Sequence, residues 1–279
     1  MSASWTASGP ARIVSRDMPL SPDRFEAAKG WLFKHYDAQR PMPELREPFP
    51  EVSVDDAFRL QFALVDRRLA QGETVAGVKA ALTAKVMQRF FGVHEPCPGL
   101  LPSGGLVESG RVSVGGWVMA NVEPEIAFLL ARPLEGPGVT VTDVMSAAEG
   151  VMASLEIGHL RYGKEPRSIE TFLAVNTLNG GFVLGNRLVD LTGLDLRLEG
   201  MLLEIDGQPV GSGAGAEALG DPRAVVAFLA NALARYERRL EAGTIVMTGS
   251  LVQGPIVQPG QHVRARFTHL GDVEVFYTE

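Results

Sequence analysis

An α+β fold is expected from three observations: a helical opening part, short apolar runs punctuated by glycines after Gly72, and two helical patterns interrupting that β-rich remainder. From Ser21 to His35, Phe25, Ala28 and Leu32 recur at helical spacing. After the proline-rich RPMPELREPFP, Ser53 begins a second helix. Its Phe58, Phe62, Val65 and Leu69 form one stripe, and Gly72 ends it. Arg111 to Met119, Glu125 to Leu130 and Phe182 to Leu184 read as strands between turn residues. A helix is predicted from Thr142 to Leu155, with Val144, Ala148, Val151 and Leu155 on one face. Another starts at Asp221-Pro222, an N-cap followed by proline at the first helical position. Its stripe is Val225, Phe228, Leu229, Ala232 and Tyr236, and Gly243 follows its end. Asp206-Gly207 reads as a two-residue hairpin turn, and the tail reads as a hairpin around Gly271. The expected division is a flexible segment over 1–20, a helical unit over 21–75 and a β-rich body over 76–279.

Composition excludes several function classes. With 279 residues and 46% hydrophobic content, the chain can fill a large core. A formal charge of −7, with no Lys/Arg cluster, argues against nucleic-acid binding. The first 20 residues lack the apolar core of a secretory signal, and Cys97 has no second cysteine to pair with, so a cytoplasmic location is expected. No uncharged apolar run approaches the roughly 18 residues of a membrane-spanning helix.

The chemistry centres on Val122-Glu123-Pro124-Glu125-Ile126-Ala127-Phe128. On an extended strand Glu123 and Glu125 point the same way and Pro124 the other. Two carboxylates inside an apolar run are costly to bury unless a cation compensates them, although an isolated Glu-x-Glu is usually a solvated face. Glu156 adds a third carboxylate where the predicted helix gives way to LEIGHLRY. Without a Cys or His pattern this is an all-oxygen set, suited to Mg²⁺, Mn²⁺ or Ca²⁺, with Mg²⁺ the default. Spacing alone does not establish the site, since any chain of this length holds many Glu triples.

Lys79 lies among small apolar residues, where partial desolvation would lower its pKa and suit it to proton transfer. The alternative is a lysine whose head snorkels to solvent. Gly211 to Gly215 looks like a phosphate cradle, but no Lys-Ser/Thr follows it and no βαβ unit surrounds it, so a mobile loop is expected instead. No Gly-x-Ser-x-Gly elbow is present and no two histidines stand four apart, which leaves His94 and His159 as acid-base helpers. Cys97, between two prolines, reads as inert filling.

From Pro43 to Glu279 a series of segments appears in order: PELREPFPEVSVDDAFRLQ, GVKAALTAKVMQRFFGV, VEPEIAFLL, LEI with Arg161 after it, NGGFVLG, GAGAEALGDPRAVVAFLANALA, EAGTIVMTGSL and LGDVEVFY. In these segments the chain resembles the 2-keto-4-pentenoate hydratase and 4-oxalocrotonate decarboxylase branch of the fumarylacetoacetate hydrolase superfamily. The resemblance implies a mixed β-roll core binding Mg²⁺ or Mn²⁺ through Glu123, Glu125 and Glu156. It implies catalytic positions at Lys79, Cys97 and Arg161, and substrate-lining ones at Leu82, Ile126 and Leu178. Hydratases of the branch usually carry aspartate at the Cys97 position and serine at the Leu178 position, whereas decarboxylases tend to be apolar at the former. Ala120-Asn121 replaces the usual Pro-Arg.

The expectation is a metal-dependent lyase that hydrates a short 2-hydroxy-2,4-dienoate from aromatic-ring degradation, with the cation acting as Lewis acid and template. The near alternative is decarboxylation of a 2-oxo-3-enedioate; a further one is a partner subunit that has lost turnover. A diketone hydrolase would need a His–Glu pair that the sequence does not place. The resemblance also implies a homo-oligomer and admits association with a pathway partner enzyme.

Overall fold

The computed structural model describes residues 19–38, 40–108, 110–163 and 167–279. Of the lead-in expected over 1–20, all but Pro19 and Leu20 lies outside the described residues. Helix α1 spans Pro22–Tyr36 behind the N-cap Ser21. Helix α2 spans Val54–Leu69, and Ser53 and Asp56 close a reciprocal capping box at its start. Both agree with the sequence patterns. Strand β1 (Val75–Ala81), helix α3 (Lys85–Phe91), β2 (Cys97–Pro102) and β3 (Arg111–Ser113) follow. The long β4 (Ala120–Leu130) leads through α4 (Val141–Ala147) directly into β5 (Ala148–His159). Then come α5 (Ile169–Ala174), β6 (Asn179–Leu184), and the hairpin of β7 (Gly200–Ile205) and β8 (Gln208–Ala214). Helix α6 (Pro222–Leu233), β9 (Ile245–Met247), β10 (Ile256–Val257), β11 (His262–Phe267) and β12 (Gly271–Thr278) complete the chain.

Two sheets organise these strands. One runs in the order β2-β1-β9-β4-β5-β6, with β10 also on β4; the other runs β3-β12-β11-β7-β8. The two expected hairpins are present, β7–β8 closing at Asp206-Gly207 and β11–β12 closing before Gly271. Among the described residues no helix is long and apolar enough to cross a membrane.

Three sequence expectations change. The helix predicted over Thr142–Leu155 is helical only from Val141 to Ala147, capped by Thr140 and Asp143. From Ala148 the chain is strand, and everything from Gly150 to His159 is buried. A strand buried on both faces reads as a continuous apolar run, which period alone does not separate from a buried helix. The strand expected over Arg111–Met119 is regular only to Ser113. Gly211 to Ala214 is not a mobile loop; it belongs to β8, and a Cβ at Gly213 or Gly215 would collide with the carbonyl of Leu251 or Leu196. These glycines permit close backbone approach.

Strand β4 shows how proline is accommodated inside a sheet. Along the edge that meets β9 and β10, those strands cover only Ala127–Leu129 and Ala120–Asn121. Between them the crossing segment 248–255 supplies single bonds: Thr248 donates to the Ile126 carbonyl, Leu251 to Pro124, and Val122 donates to Pro255. Pro124, which has no N–H, therefore sits where the ladder needs only its carbonyl.

Candidate metal centre

Antiparallel pairing sets Glu123 of β4 directly opposite Glu156 of β5, with Glu125 two residues along opposite Ser154. Directly opposed residues share a face, so the three carboxylates project together. One oxygen from each lies within 4.8 Å of the others, and Glu125 and Glu156 are buried. Glu156 thus sits in the middle of a strand rather than at a helix end.

Lys79 of β1 faces the same cluster. Its Nζ lies 2.7 Å from Glu156 Oε1 and 2.8 Å from Oε2, and it donates to the Thr177 carbonyl at 3.2 Å. The ammonium is buried rather than snorkelled. Burial works against its charge, but Glu156, Glu123 and Glu125 together outweigh that and hold its pKa above the ordinary lysine value. This corrects the expectation of a lowered pKa: the side chain is desolvated but densely surrounded by negative charge.

The carboxylates are shifted as well. Burial, then the neighbouring Glu156, raises Glu123 above the usual carboxylate range and Glu125 well above it; Lys79 pulls both the other way. Asn121 donates to Glu123 Oε1 at 3.0 Å, Asn179 to Glu156 Oε1 at 3.0 Å, and the Gly249 N–H to Glu125 Oε2 at 2.7 Å. Glu125 Oε1 remains buried without a partner. A buried, unpaired carboxylate oxygen is available as a ligand, and three hard oxygens with no thiolate or imidazole suit a divalent cation such as Mg²⁺ or Ca²⁺. The residues present fit such an ion.

Sequence reasoning did not single out Thr177, Asn179 or Gly249 as site residues. In the sequence Asn121 stands out only as a departure from Pro-Arg, and Asn179 only as the start of the NGGFVLG segment.

Other sequence candidates separate by place. Cys97 pairs with Ala81 in register, two residues along the ladder from the Lys79–Gly99 pair, and so lies on the Lys79 face. It is fully buried, and burial pushes its thiol up to about 12, which makes it a small apolar surface and not a nucleophile. Leu178 is buried next to Thr177, and Leu82 follows β1 with a left-handed φ of 60°.

Ile126 alternates to the opposite face of β4 and packs toward the backbone at Gly215, so the structure does not bring it to the carboxylates. Arg161 does not reach them either. Its guanidinium donates to the Tyr36 carbonyl at 2.8 Å and covers the Tyr36 ring, 3.5 Å from the centroid. It fastens α1 to the turn after β5.

His159 stacks on Trp117 and accepts the Val118 N–H through Nε2; burial lowers it to about 3, so it does not serve as an acid-base group. His94 is exposed. A His–Glu pair does occur, between His269 and the buried Glu199. It closes the β11–β12 turn in the other sheet, where Glu199 also accepts the His269 and Leu270 N–H groups.

Fold and site define the class: a two-sheet α+β protein with a carboxylate cluster able to hold a divalent metal, countered by one buried lysine. Residues 101–275 match the model of the fumarylacetoacetate (FAA) hydrolase C-terminal family. The chain belongs to the fumarylacetoacetate hydrolase family. It is 33% identical over 264 residues to a 2-hydroxyhexa-2,4-dienoate hydratase of Comamonas testosteroni, covering 93% of this chain and 100% of that one. It is 32% identical over 231 residues to a 4-oxalocrotonate decarboxylase of Pseudomonas putida, covering 81% and 86%. The structure of 4-oxalocrotonate decarboxylase from Pseudomonas putida G7, complexed with magnesium and adipate, superposes with a TM-score of 0.89 at 30% identity, over 94% of this chain and 100% of that chain.

Proposed function

We propose that this protein is a divalent-metal-dependent lyase that adds water to a short 2-hydroxy-2,4-dienoate, giving a 4-hydroxy-2-oxo acid in aromatic catabolism. The observation that carries the proposal is the convergence of Glu123, Glu125 and Glu156 with Lys79, leaving Glu125 Oε1 unpaired. In this reading the three glutamates hold Mg²⁺, or Mn²⁺ in its place. When bound, such a cation withdraws charge from the carboxylate and 2-oxygen of the substrate.

The chain's own residues supply the rest. Lys79 Nζ lies beside Glu156, and in this reading it lends a proton to the terminal carbon as the enol collapses to the ketone, regaining one from the enol hydroxyl. Asn121, Asn179 and the Gly249 N–H hold the carboxylates in register. The face around them is walled by Leu101, Ala127, Met152, Phe182 and Met247, which keeps bulk water out and strengthens every charge interaction inside. Cytoplasmic location and a homo-oligomeric state belong to the same reading.

Decarboxylation of a 2-oxo-3-enedioate is favoured by one observation. At Cys97 the site offers a buried, protonated thiol and no carboxylate to position water. Hydration is favoured by unpartnered polar atoms on residues that hold Glu123, Glu156 and Lys79: Asn121 Oδ1, Thr177 Oγ1 and Asn179 Oδ1 are buried with free hydrogen-bonding capacity.

Mg²⁺-loaded protein, given 2-hydroxypenta-2,4-dienoate and 4-oxalocrotonate separately and followed by NMR, discriminates the readings. The expected result is hydroxy acid from the former and no carbon dioxide from the latter. Carbon dioxide without hydroxy acid would reject hydration. Metal binding without turnover of either would reject an enzyme in favour of a partner subunit.

A further inference from the structure

Asn176, Thr177 and Leu178 form an unusual turn between α5 and β6. All three are non-glycine residues in the left-handed region, with φ of 55°, 49° and 65°. Such backbone persists only where surroundings over-determine it, and runs of it gather at functional sites. The surroundings are visible. The Asn176 amide accepts the Leu100 N–H at 2.9 Å and donates to the Leu100 carbonyl at 2.8 Å, riveting the turn to β2. One residue on, the Thr177 carbonyl receives Lys79 Nζ. Two further, Asn179 grips Glu156. The strained turn therefore orients both partners of the buried lysine–carboxylate pair.

The Thr177 hydroxyl takes no part in this scaffolding. Thr177 is 2% exposed, yet Oγ1 has no hydrogen-bond partner. It lies over Gly99 of β2, where a Cβ would collide with it and come within 3.1 Å of Cγ and Cε of Lys79. The missing side chain at Gly99 thus leaves the space shared by the lysine stem and this hydroxyl. A buried hydroxyl without a partner is costly, so it gains most from a polar group brought beside it. Cys97 and Leu178, the nearby positions flagged from the sequence, offer an undissociated thiol and an alkyl group.

We propose that Thr177 Oγ1 binds the water that adds to the substrate, making Thr177 a catalytic residue of the hydration step; this rests on the hydratase reading above. After ketonisation the substrate is a 2-oxo-3-enoate. The water oxygen, held by Thr177, bonds to C4 as the C3=C4 electron pair moves to C2–C3 and the carbonyl pair moves onto the 2-oxygen; that pair returns to the carbonyl when C3 is protonated. Water releases one proton while C3 takes one up, so that H and OH are added overall and nothing is oxidised or reduced.

Thr177→Val keeps the branched shape and the carbonyl that holds Lys79 but removes the hydroxyl; Thr177→Ser keeps the hydroxyl. With 2-hydroxypenta-2,4-dienoate in D₂O, Thr177→Val is expected to form hydroxy acid about 30-fold more slowly. Its deuterium uptake at C5, which reports ketonisation, should change by less than about 3-fold on the same scale. Mn²⁺ affinity by calorimetry should be unchanged, and Thr177→Ser should restore hydration. Wild-type hydration rates in Thr177→Val would overturn the assignment. So would equal loss of hydration and deuterium uptake, or loss of Mn²⁺ binding, either of which marks a purely structural role. If the wild type takes up deuterium but forms no hydroxy acid, the hydratase reading falls and this assignment falls with it.

Discussion

Lys79 and Glu125 hold opposite positions in the charge balance of the site. Glu125 keeps one oxygen bonded to the Gly249 N–H and one buried and free, so its ionised form is poorly compensated by protein alone. Replacing it with glutamine preserves the shape and an acceptor for Gly249 but removes the charge that a cation needs. Glu125→Gln is therefore expected to fold normally while losing Mn²⁺ affinity by on the order of 100-fold, read by calorimetry, and turnover with it. Unchanged affinity would remove Glu125 from the ligand set.

Lys79 should behave differently, because its ammonium competes with any cation for Glu156. Lys79→Met is expected to lose turnover yet bind Mn²⁺ at least as tightly as the wild type. The metal-free variant should be less stable by about 3 kcal/mol in urea unfolding, because breaking a buried pair leaves the carboxylates uncompensated. These roles were partly legible. Alternation along β4 pairs Glu123 with Glu125 from sequence alone. The Lys79–Glu156 contact joins residues 77 apart and becomes visible only when β1 is set in the sheet.

Strand β5 shows where element-level reading stops and what its far end does. The capping boxes at Ser53 and Thr140 and the Asp-Gly hairpin obey local rules, and all are readable. The passage from α4 into β5 has no turn residue before it: Ala147 ends the helix and Ala148 begins the strand. Only the sheet decides that boundary, by burying the residues from Gly150 onward on both faces.

At the end of β5, His159 stacks within 4.4 Å of Trp117 and accepts the Val118 N–H, which requires an unprotonated Nε2. Its folded pKa of about 3 lies below the ordinary value of 6.5. Between these values the unfolded chain binds the extra proton, so stability is intact above pH 6.5 and lost as pH falls. The loss is about 1.4 kcal/mol per pH unit from this group. His159→Gln retains an acceptor without that proton affinity. Its urea-unfolding free energy should decline correspondingly less between pH 6.5 and 4.5; an identical decline would place the acid sensitivity elsewhere.

On the scale of the whole molecule the carboxylate cluster lies where independent parts of the chain meet. Glu123 and Glu125 come from β4, Glu156 from β5, Lys79 from β1, Gly249 from the segment after β9, and Thr177 and Asn179 from the turn into β6. The N-terminal helices brace the same region from behind. Gln61 of α2 donates to the carbonyls of Pro98 and Leu173, and Glu44 binds Ser168 and Thr171 around the start of α5. Metal-free, this junction gathers three carboxylates against one ammonium, and the burden appears in the raised Glu123 and Glu125. An ion bound only by the folded junction stabilises the entire fold by mass action, about 2.7 kcal/mol at a hundredfold excess over its dissociation constant. For a chain of this size that corresponds to a rise in Tm of roughly 4–5 °C. Mg²⁺ titrated into EDTA-treated protein should produce such a rise, and Glu125→Gln should abolish it while starting from an equal or higher metal-free Tm, since the variant no longer buries that charge. A rise of equal size in both proteins would show the ion stabilising the fold from a site other than the β4–β5 carboxylates.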